Sequence, residues 1–299
     1  MIARNLTRRA EILEGIRVFF RREGFLEVET PIRIPVPLPE AHIDPVGSEG
    51  WFLQTSPEVC MKPLVAAGLP RIFQICKAFR RGERGERHLP ELTLLEWYAA
   101  GETYREVMER AEALVLFLAR RLGAGERLHY GGVEIDLTPP WPRLPVADAF
   151  RRLAGVSAAE ALAADRFDEI LALEVEPRLE ASRPVFLTDY PAACGALARL
   201  NPADPATAER CELYIGGIEL LNGFSELTDP AEQRRRFERD RELRRRRGQA
   251  DPGLPERFLE ALARLPECAG GALGVDRLTM LFCNAARIDE VVAFPPEAL

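Results

Sequence analysis

The chain has 299 residues, enough for one large domain or two ordinary ones, and 47% of them are hydrophobic, enough for a core. No stretch approaches the ~18 consecutive apolar residues of a membrane span, and the charged N-terminus, MIARNLTRRAEILEGI, lacks the apolar region of a signal peptide. A net charge of −7 argues against a nucleic-acid binder, and three dispersed histidines argue against a zinc site. Cys60, Cys76, Cys194, Cys211, Cys268 and Cys283 form no C-x-x-C pair and read as reduced core thiols of a cytoplasmic protein.

Residues 7–23 carry Ile12, Ile16, Phe19 and Phe20 at helical spacing, with Gly24 as the stop. FLEV is a short strand closed by Pro31. The run 31–50, PIRIPVPLPEAHIDPVGSEG, is Pro-rich and reads as an ordered loop, and WFLQ as a strand. Ser56-Pro57-Glu58 opens a helix with Ser at the N-cap and Pro at the first turn. RIFQICKAF (71–79) and ELTLLEWYA (91–99) read as an antiparallel pair joined by the polar loop RRGERGERHLP. A helix over roughly 103–122 follows, then a hairpin about Gly131-Gly132.

Residues 145–183 are helical and charged, as in an insertion packed on the side. PVFLTDYP is a strand, and AERCELYIGGIELLNGF a hairpin turning on Gly216-Gly217. Arg234 to Arg247 holds nine arginines against Glu238, Asp240 and Glu242. On a helix these form either a solvated, salt-bridged face or a dock for an acidic partner. A helix near 254–264 precedes GGALGVD, a Gly-rich strand that runs into the helix DRLTMLFCNA. This order gives an α+β fold, one domain over 1–299, built on an antiparallel β-sheet flanked by helices. Lys62 and Lys77 are its only lysines, which reads as base composition.

The chemistry lies in the strands. Period two places Leu92, Leu94, Glu96 and Tyr98 on one face, either a wet strand end or a pocket wall offering a carboxylate and a phenol. Asn222, Phe224 and Glu226 share a face, with Glu219 on the other unless a bulge near Gly223 intervenes. A turn pairing 215 with 218 sets Glu212 opposite Leu221, one step from Glu219. Two carboxylates that close suit a cation such as Mg²⁺ beside nucleotide phosphates. Arg80, Arg81, Arg84, Arg87 and His88 form a loop able to grip phosphate. The strand GGALG lets a ligand ring approach the backbone, and Arg277 projects from the helix after it.

FQICKAFRRGERGERHLPELTLLEWY, ELYIGGIELLNGFSEL and GGALGVDRLTMLF resemble motifs 2 and 3 of class II aminoacyl-tRNA synthetases, and GFLEVETP the end of motif 1. SPE, LLEWY and NGFSEL resemble the amino-acid pocket of the lysyl branch. The lack of room for an N-terminal OB-fold, with LLEWY and GALGVDR, makes the chain most similar to the elongation factor P lysine ligases, truncated lysyl-tRNA synthetase paralogues. These join lysine or (R)-β-lysine to a lysine of elongation factor P.

The resemblance implies that Ser56, Pro57, Glu58, Glu96, Tyr98, Asn222, Phe224, Glu226 and Ala272 bind the amino acid. It implies an ATP site of Arg80, Arg81, Gly82, Glu83, His88, Leu89, Glu219, Leu220, Gly274 and Arg277, with Arg80 and Arg277 catalytic and Mg²⁺ on Glu212 and Glu219. It further implies a homodimer, no anticodon recognition and no membrane partner. Three departures stand out: Gly82-Glu83 moves the motif 2 acid one place, Leu89 replaces the family's Asn, and Ala272 replaces the Gly of lysyl-tRNA synthetases. The rival expectations are a free-standing enzyme charging tRNA and a non-catalytic synthetase-like regulator.

Overall fold

The computed structural model describes residues 2–299. The chain starts with α1 (Ile2–Arg22), β1 (Leu26–Glu27), β2 (Arg33–Ile34), β3 (Val46–Ser48), β4 (Trp51–Leu53), α2 (Glu58–Ala66), β5 (Arg71–Phe79) and β6 (Glu91–Ala100). It continues through α3 (Tyr104–Arg121), the hairpin β7 (Arg127–Tyr130) and β8 (Val133–Asp136), β9 (Arg143–Pro145), α4 (Val146–Ala149), α5 (Ala158–Ala163) and α6 (Phe167–Ile170). Last come β10 (Val185–Pro191), β11 (Thr207–Ile215), β12 (Ile218–Ser225), α7 (Pro230–Arg246), α8 (Glu256–Leu262), β13 (Cys268–Gly274) and α9 (Val275–Cys283).

Eight strands make one sheet in the order β1-β5-β6-β13-β12-β11-β10-β9. The six inner strands pair antiparallel, as expected, but the edge strands β1 and β9 pair parallel to their neighbours, so the sheet is mixed. The run 31–50 is not merely a loop, because β2 and β3 both pair with β4 in a small sheet.

Alternation along the inner strands sorts the two faces. Phe73, Trp97 and Cys211 point to the side covered by α1 and α3, where Phe20 stacks on Phe73 at 4.9 Å and lies 5.4 Å from Trp97. The opposite face carries a row of directly paired residues, Gln74, Glu96, Ala272, Asn222 and Glu212. Beside it runs a second row, Ile72, Tyr98, Gly270, Phe224 and Arg210. Helices α2 and α8 pack over this second face through Met61, Val65, Phe258 and Tyr98.

Several local expectations change. Helix α1 begins at Ile2 rather than near residue 7, because Asn5 donates to the Glu290 carbonyl at 3.0 Å and Arg9 pairs with buried Asp276 at 2.7 Å. At α2 the cap position falls on Pro57, one residue later than expected, although the Ser56 hydroxyl still accepts the Glu58 N–H at 3.1 Å. In β11–β12 the register shifts between Leu213 and Tyr214, so Glu212 faces Asn222 and not Leu221. The extra residue lies at Leu220, not near Gly223. Leu220 and Leu221 both enter the core, and Glu219, opposite Tyr214, joins the face of Asn222.

The arginines of α7 are largely engaged within the molecule. Arg234 pairs with Glu256, Arg235 and Arg236 with Glu232, Arg241 with Asp251, and Arg245 and Arg246 with Glu242. Arg244 is 1% exposed and donates to the carbonyls of Glu40, Ile43 and Ala250 and to Asp44. These pairs fit the salt-bridged reading of the ridge, with Arg244 tying down the 40–44 loop and Arg236 the carbonyls of Ala196 and Ala198, while Arg235, Arg239 and Arg246 stay exposed to solvent.

Candidate functional site: a buried carboxylate cluster beside an arginine-rich loop

Glu58 leaves the first turn of α2, Glu96 and Tyr98 stand on β6, and Glu226 follows β12. Their relative exposures are 7, 2, 3 and 2%, so the sheet and α2 bring three carboxyls out of water together. Glu96 accepts the Tyr98 hydroxyl at 2.7 Å on one oxygen, while its other oxygen is buried without a partner. An unpaired buried acceptor is costly and marks a place for a donor. Burial, and then the charge of Glu58, pushes the Glu96 carboxyl well above the usual carboxylate range. Glu226 rises for the same reasons, opposed by Lys62.

Lys62 is the residue that sequence reasoning missed. Four residues after Glu58 on α2, its ammonium donates to Glu58 and lies 2.6 Å from Glu226, with both side chains 1% exposed in the latter pair. The signal was the Glu58–Lys62 spacing on a helix; the long-range partner Glu226 left none.

Gly270 lies between Tyr98 and Phe224 in register. A Cβ there would meet the Tyr98 ring at 2.5 Å and the Glu226 carboxyl at 2.6 Å, so the bare backbone lets both side chains converge. Ala272 sits between Glu96 and Asn222 on the same floor.

A second cluster adjoins the first. Glu212 accepts the hydroxyls of Tyr190 at 2.6 Å and Tyr214 at 2.8 Å and pairs with Arg210. Arg210 also donates to Asn222 at 3.3 Å and to the Cys194 carbonyl, with its guanidinium 4.3 Å from the Tyr190 ring centre. Glu219 binds Arg277 at 3.1 Å; burial, followed by the nearby Glu212 charge, raises its carboxyl. Arg277 further donates to the Glu219 carbonyl and meets His88 at 2.6 Å. Burial and then Arg277 hold the His88 imidazole below its usual value, which leaves it neutral and able to accept that hydrogen bond.

Arg80 follows β5, its backbone N–H bound to the Pro90 carbonyl at 2.8 Å, and its guanidinium lies 3.8 Å from Glu83. Gly82, at φ 78°, turns the loop. The Arg81 backbone N–H binds the Asp44 carbonyl at 2.7 Å. Gly274 precedes α9 and has only the Arg277 side chain near its Cα face. The Leu89 side chain packs with Met280, Ala285, Ile288 and Val291, and that of Leu220 lies in the main core, so neither side chain faces the arginine loop. Each residue has only its backbone to offer. Among the described residues no group of three or more His, Cys, Asp or Glu is arranged for a metal.

The sheet thus carries an acidic floor, an arginine loop after β5 and an arginine on the helix after β13. The class II tRNA synthetase family (D, K and N) matches residues 1–298. The chain belongs to this family. Within it, the chain is similar to the elongation factor P–(R)-β-lysine ligase of Vibrio cholerae, 38% identical over 97% of this chain and 94% of that one. A ligase of the same name from Salmonella gallinarum is 39% identical over 97% and 94%. The lysine–tRNA ligase of Dehalococcoides mccartyi is 36% identical over 96% of this chain, which spans 63% of that relative. For a class II synthetase fold, the two clusters thus fall on one face of the sheet, with Asn222 and Ala272 between them.

Proposed function

We propose that this chain, a single catalytic domain with 145–183 as a lateral helical insertion, activates lysine or (R)-β-lysine with ATP and transfers it to a lysine side chain of elongation factor P. The observation that carries the substrate class is the buried, unpartnered Glu96 oxygen within a cluster of three carboxylates. Such a cluster favours a ligand bearing amines. The acceptor rests on the relatives: the match extends over 94% of the ligases named for elongation factor P and 63% of the lysine–tRNA ligase.

In this reading Glu58, Glu96, Tyr98, Asn222 and Glu226 receive the substrate amines, with Ser56 and Pro57 fixing the start of α2 and Phe224 and Ala272 shaping the floor. Arg80 holds the substrate carboxylate and the α-phosphate. Attack of the substrate carboxylate on the α-phosphorus expels pyrophosphate and gives the adenylate; the deprotonated acceptor amine then attacks the acyl carbon, AMP leaves, and the amide nitrogen gives up its extra proton. No side chain serves as nucleophile; positioning and charge neutralisation supply the rate. Arg277 and His88 flank the adenine, and Arg81, Gly82, Glu83, Leu89, Leu220 and Gly274 lie along the nucleotide.

Glu219 and Glu212 would hold Mg²⁺ brought in on the nucleotide, since the ion commonly takes one or two carboxylates plus phosphates; Glu219 is the open one at 39% exposure, while Glu212 is already bound by Arg210, Tyr190 and Tyr214. Bound there, the ion would neutralise phosphate charge. We read the enzyme as a cytoplasmic homodimer. Incubation with ATP, each lysine isomer and elongation factor P, followed by mass spectrometry, is expected to show addition of one lysyl group to the factor. Robust charging of tRNALys without that addition would favour the tRNA-charging rival.

Binding of a diamine near neutral pH is expected to release protons. Glu96 and Glu226 hold their protons above the usual value of 4.5 because of burial and neighbouring charge, and an incoming ammonium reverses that. The free protein carries the matching linkage: these two groups contribute stability fully below pH 4.5, lost as pH climbs through their raised values. Calorimetry in two buffers of different ionisation enthalpy at one pH checks the release; identical heats would contradict it.

A further inference from the structure

Lys62 carries an inference that rests on the amino-acid-activating reading and goes beyond it. Its ammonium is 1% exposed, paired with Glu58 and Glu226, and lies 5.7 Å from the Phe258 ring centre and 6.0 Å from that of Tyr98. Burial opposes its charge, but Glu226 and Glu58 outweigh burial and keep it an ammonium.

The charges facing this point can be counted. Glu58, Glu96 and Glu226 bring three negative charges when ionised, and Lys62 returns one. Tyr98, Cys76 and Cys268 add none, since burial raises the phenol far above its usual value and both thiols to about 12. Burial raises the Glu40 carboxyl, beyond Glu58, to about 7 with the Arg80 charge opposing, and Glu40 makes no ion pair with Lys62. With all three carboxyls ionised, as when a diamine is bound, two negative charges remain beside Lys62, the number that two substrate ammonium groups neutralise.

We propose that Lys62 is a built-in counter-ion that sets the pocket at two negative charges and so selects amino acids bearing two amines. It is a positioning residue: it holds Glu58 and Glu226 at a fixed spacing, and the substrate meets those carboxylates rather than Lys62. Without it a diamine leaves one buried carboxylate uncompensated, and the pocket takes up a proton or a stray cation instead.

The test is amino-acid-dependent ATP–pyrophosphate exchange. Lys62→Met keeps the volume and removes the charge; the KM for the diamine amino acid is expected to rise about tenfold or more, with the KM for ATP within about twofold. Lys62→Ala leaves room for propylammonium, which is expected to restore activity saturably where 1-propanol, equal in size and uncharged, does not. A Lys62→Met enzyme with an unchanged amino-acid KM, or equal rescue by propanol, would overturn the proposal. Should Lys62→Ala be too unstable to assay, its melting temperature reads the same point: a saturable rise with propylammonium and none with propanol supports the counter-ion, and equal effects refute it. That melting experiment needs no substrate. If the unmodified enzyme shows no exchange with either lysine isomer, the activation reading fails separately.

Discussion

Glu226→Gln is expected to lower kcat/KM for lysine or (R)-β-lysine in ATP–pyrophosphate exchange by about 10²–10³-fold, ~3–4 kcal/mol, while the KM for ATP changes less than about twofold. The substitution keeps the shape of the side chain and removes its charge. Glu226 is buried beside Lys62 at 2.6 Å, and its carboxyl oxygen fills the space that a Cβ on Gly270 would take, so it is held within the cluster. A neutral amide there leaves the Lys62 ammonium with Glu58 alone and takes one negative charge from the substrate amines. Removing one member of a buried charged pair is worth roughly 2–5 kcal/mol, because the remaining charge stays out of water. The nucleotide side has no such dependence: Arg277 is held by Glu219 and His88, and Arg80 leans toward Glu83. Glu226→Ala is expected to act in the same direction with a further loss from the cavity it opens. Equal losses in the ATP and amino-acid constants would mean that Glu226 supports the whole site and does not belong to the amine pocket.

How far the sequence already disclosed this site follows from which forces act locally. Alternation placed Glu96 with Tyr98, and Asn222 with Phe224 and Glu226, because a strand side chain's face depends only on parity. Glu219 was beyond reach by parity, since one extra residue at Leu220 reverses it, and the bulge follows from Leu220 and Leu221 both finding the core. The burial of Arg244 had no local signature either; its neighbours Arg245 and Arg246 are chemically alike, and what separates them is the 40–44 loop some 200 residues earlier, whose carbonyls it satisfies. The same holds for β2 and β3, where Pro-rich composition suggested a loop but pairing with β4 satisfies the backbone groups. Leu89, where the resemblance puts a polar residue, could be read as a lost polar contact but not as a packing residue, since its partners Met280 and Ile288 lie some 190 residues later.

Arg80→Lys is expected to reduce kcat by about 10²–10³-fold, ~3–4 kcal/mol, with little change in melting temperature. In the free protein the Arg80 side chain makes one long hydrogen bond, 3.4 Å to the Thr55 carbonyl, and a 3.8 Å approach to Glu83. Such contacts on a quarter-exposed side chain contribute little to stability. Its catalytic worth lies in geometry. Two parallel N–H groups can span a carboxylate oxygen and a phosphate oxygen at once, fixing the line of attack, whereas an ammonium supplies charge from a single point. Charge alone would let lysine substitute at small cost, so near-full kcat in Arg80→Lys would reduce Arg80 to an electrostatic role. Arg277→Lys is the internal contrast. Arg277 already spends its donors on Glu219, His88 and the Arg87 carbonyl, and its loss should therefore weaken ATP binding and protein stability together, a pattern that Arg80→Lys is expected to lack.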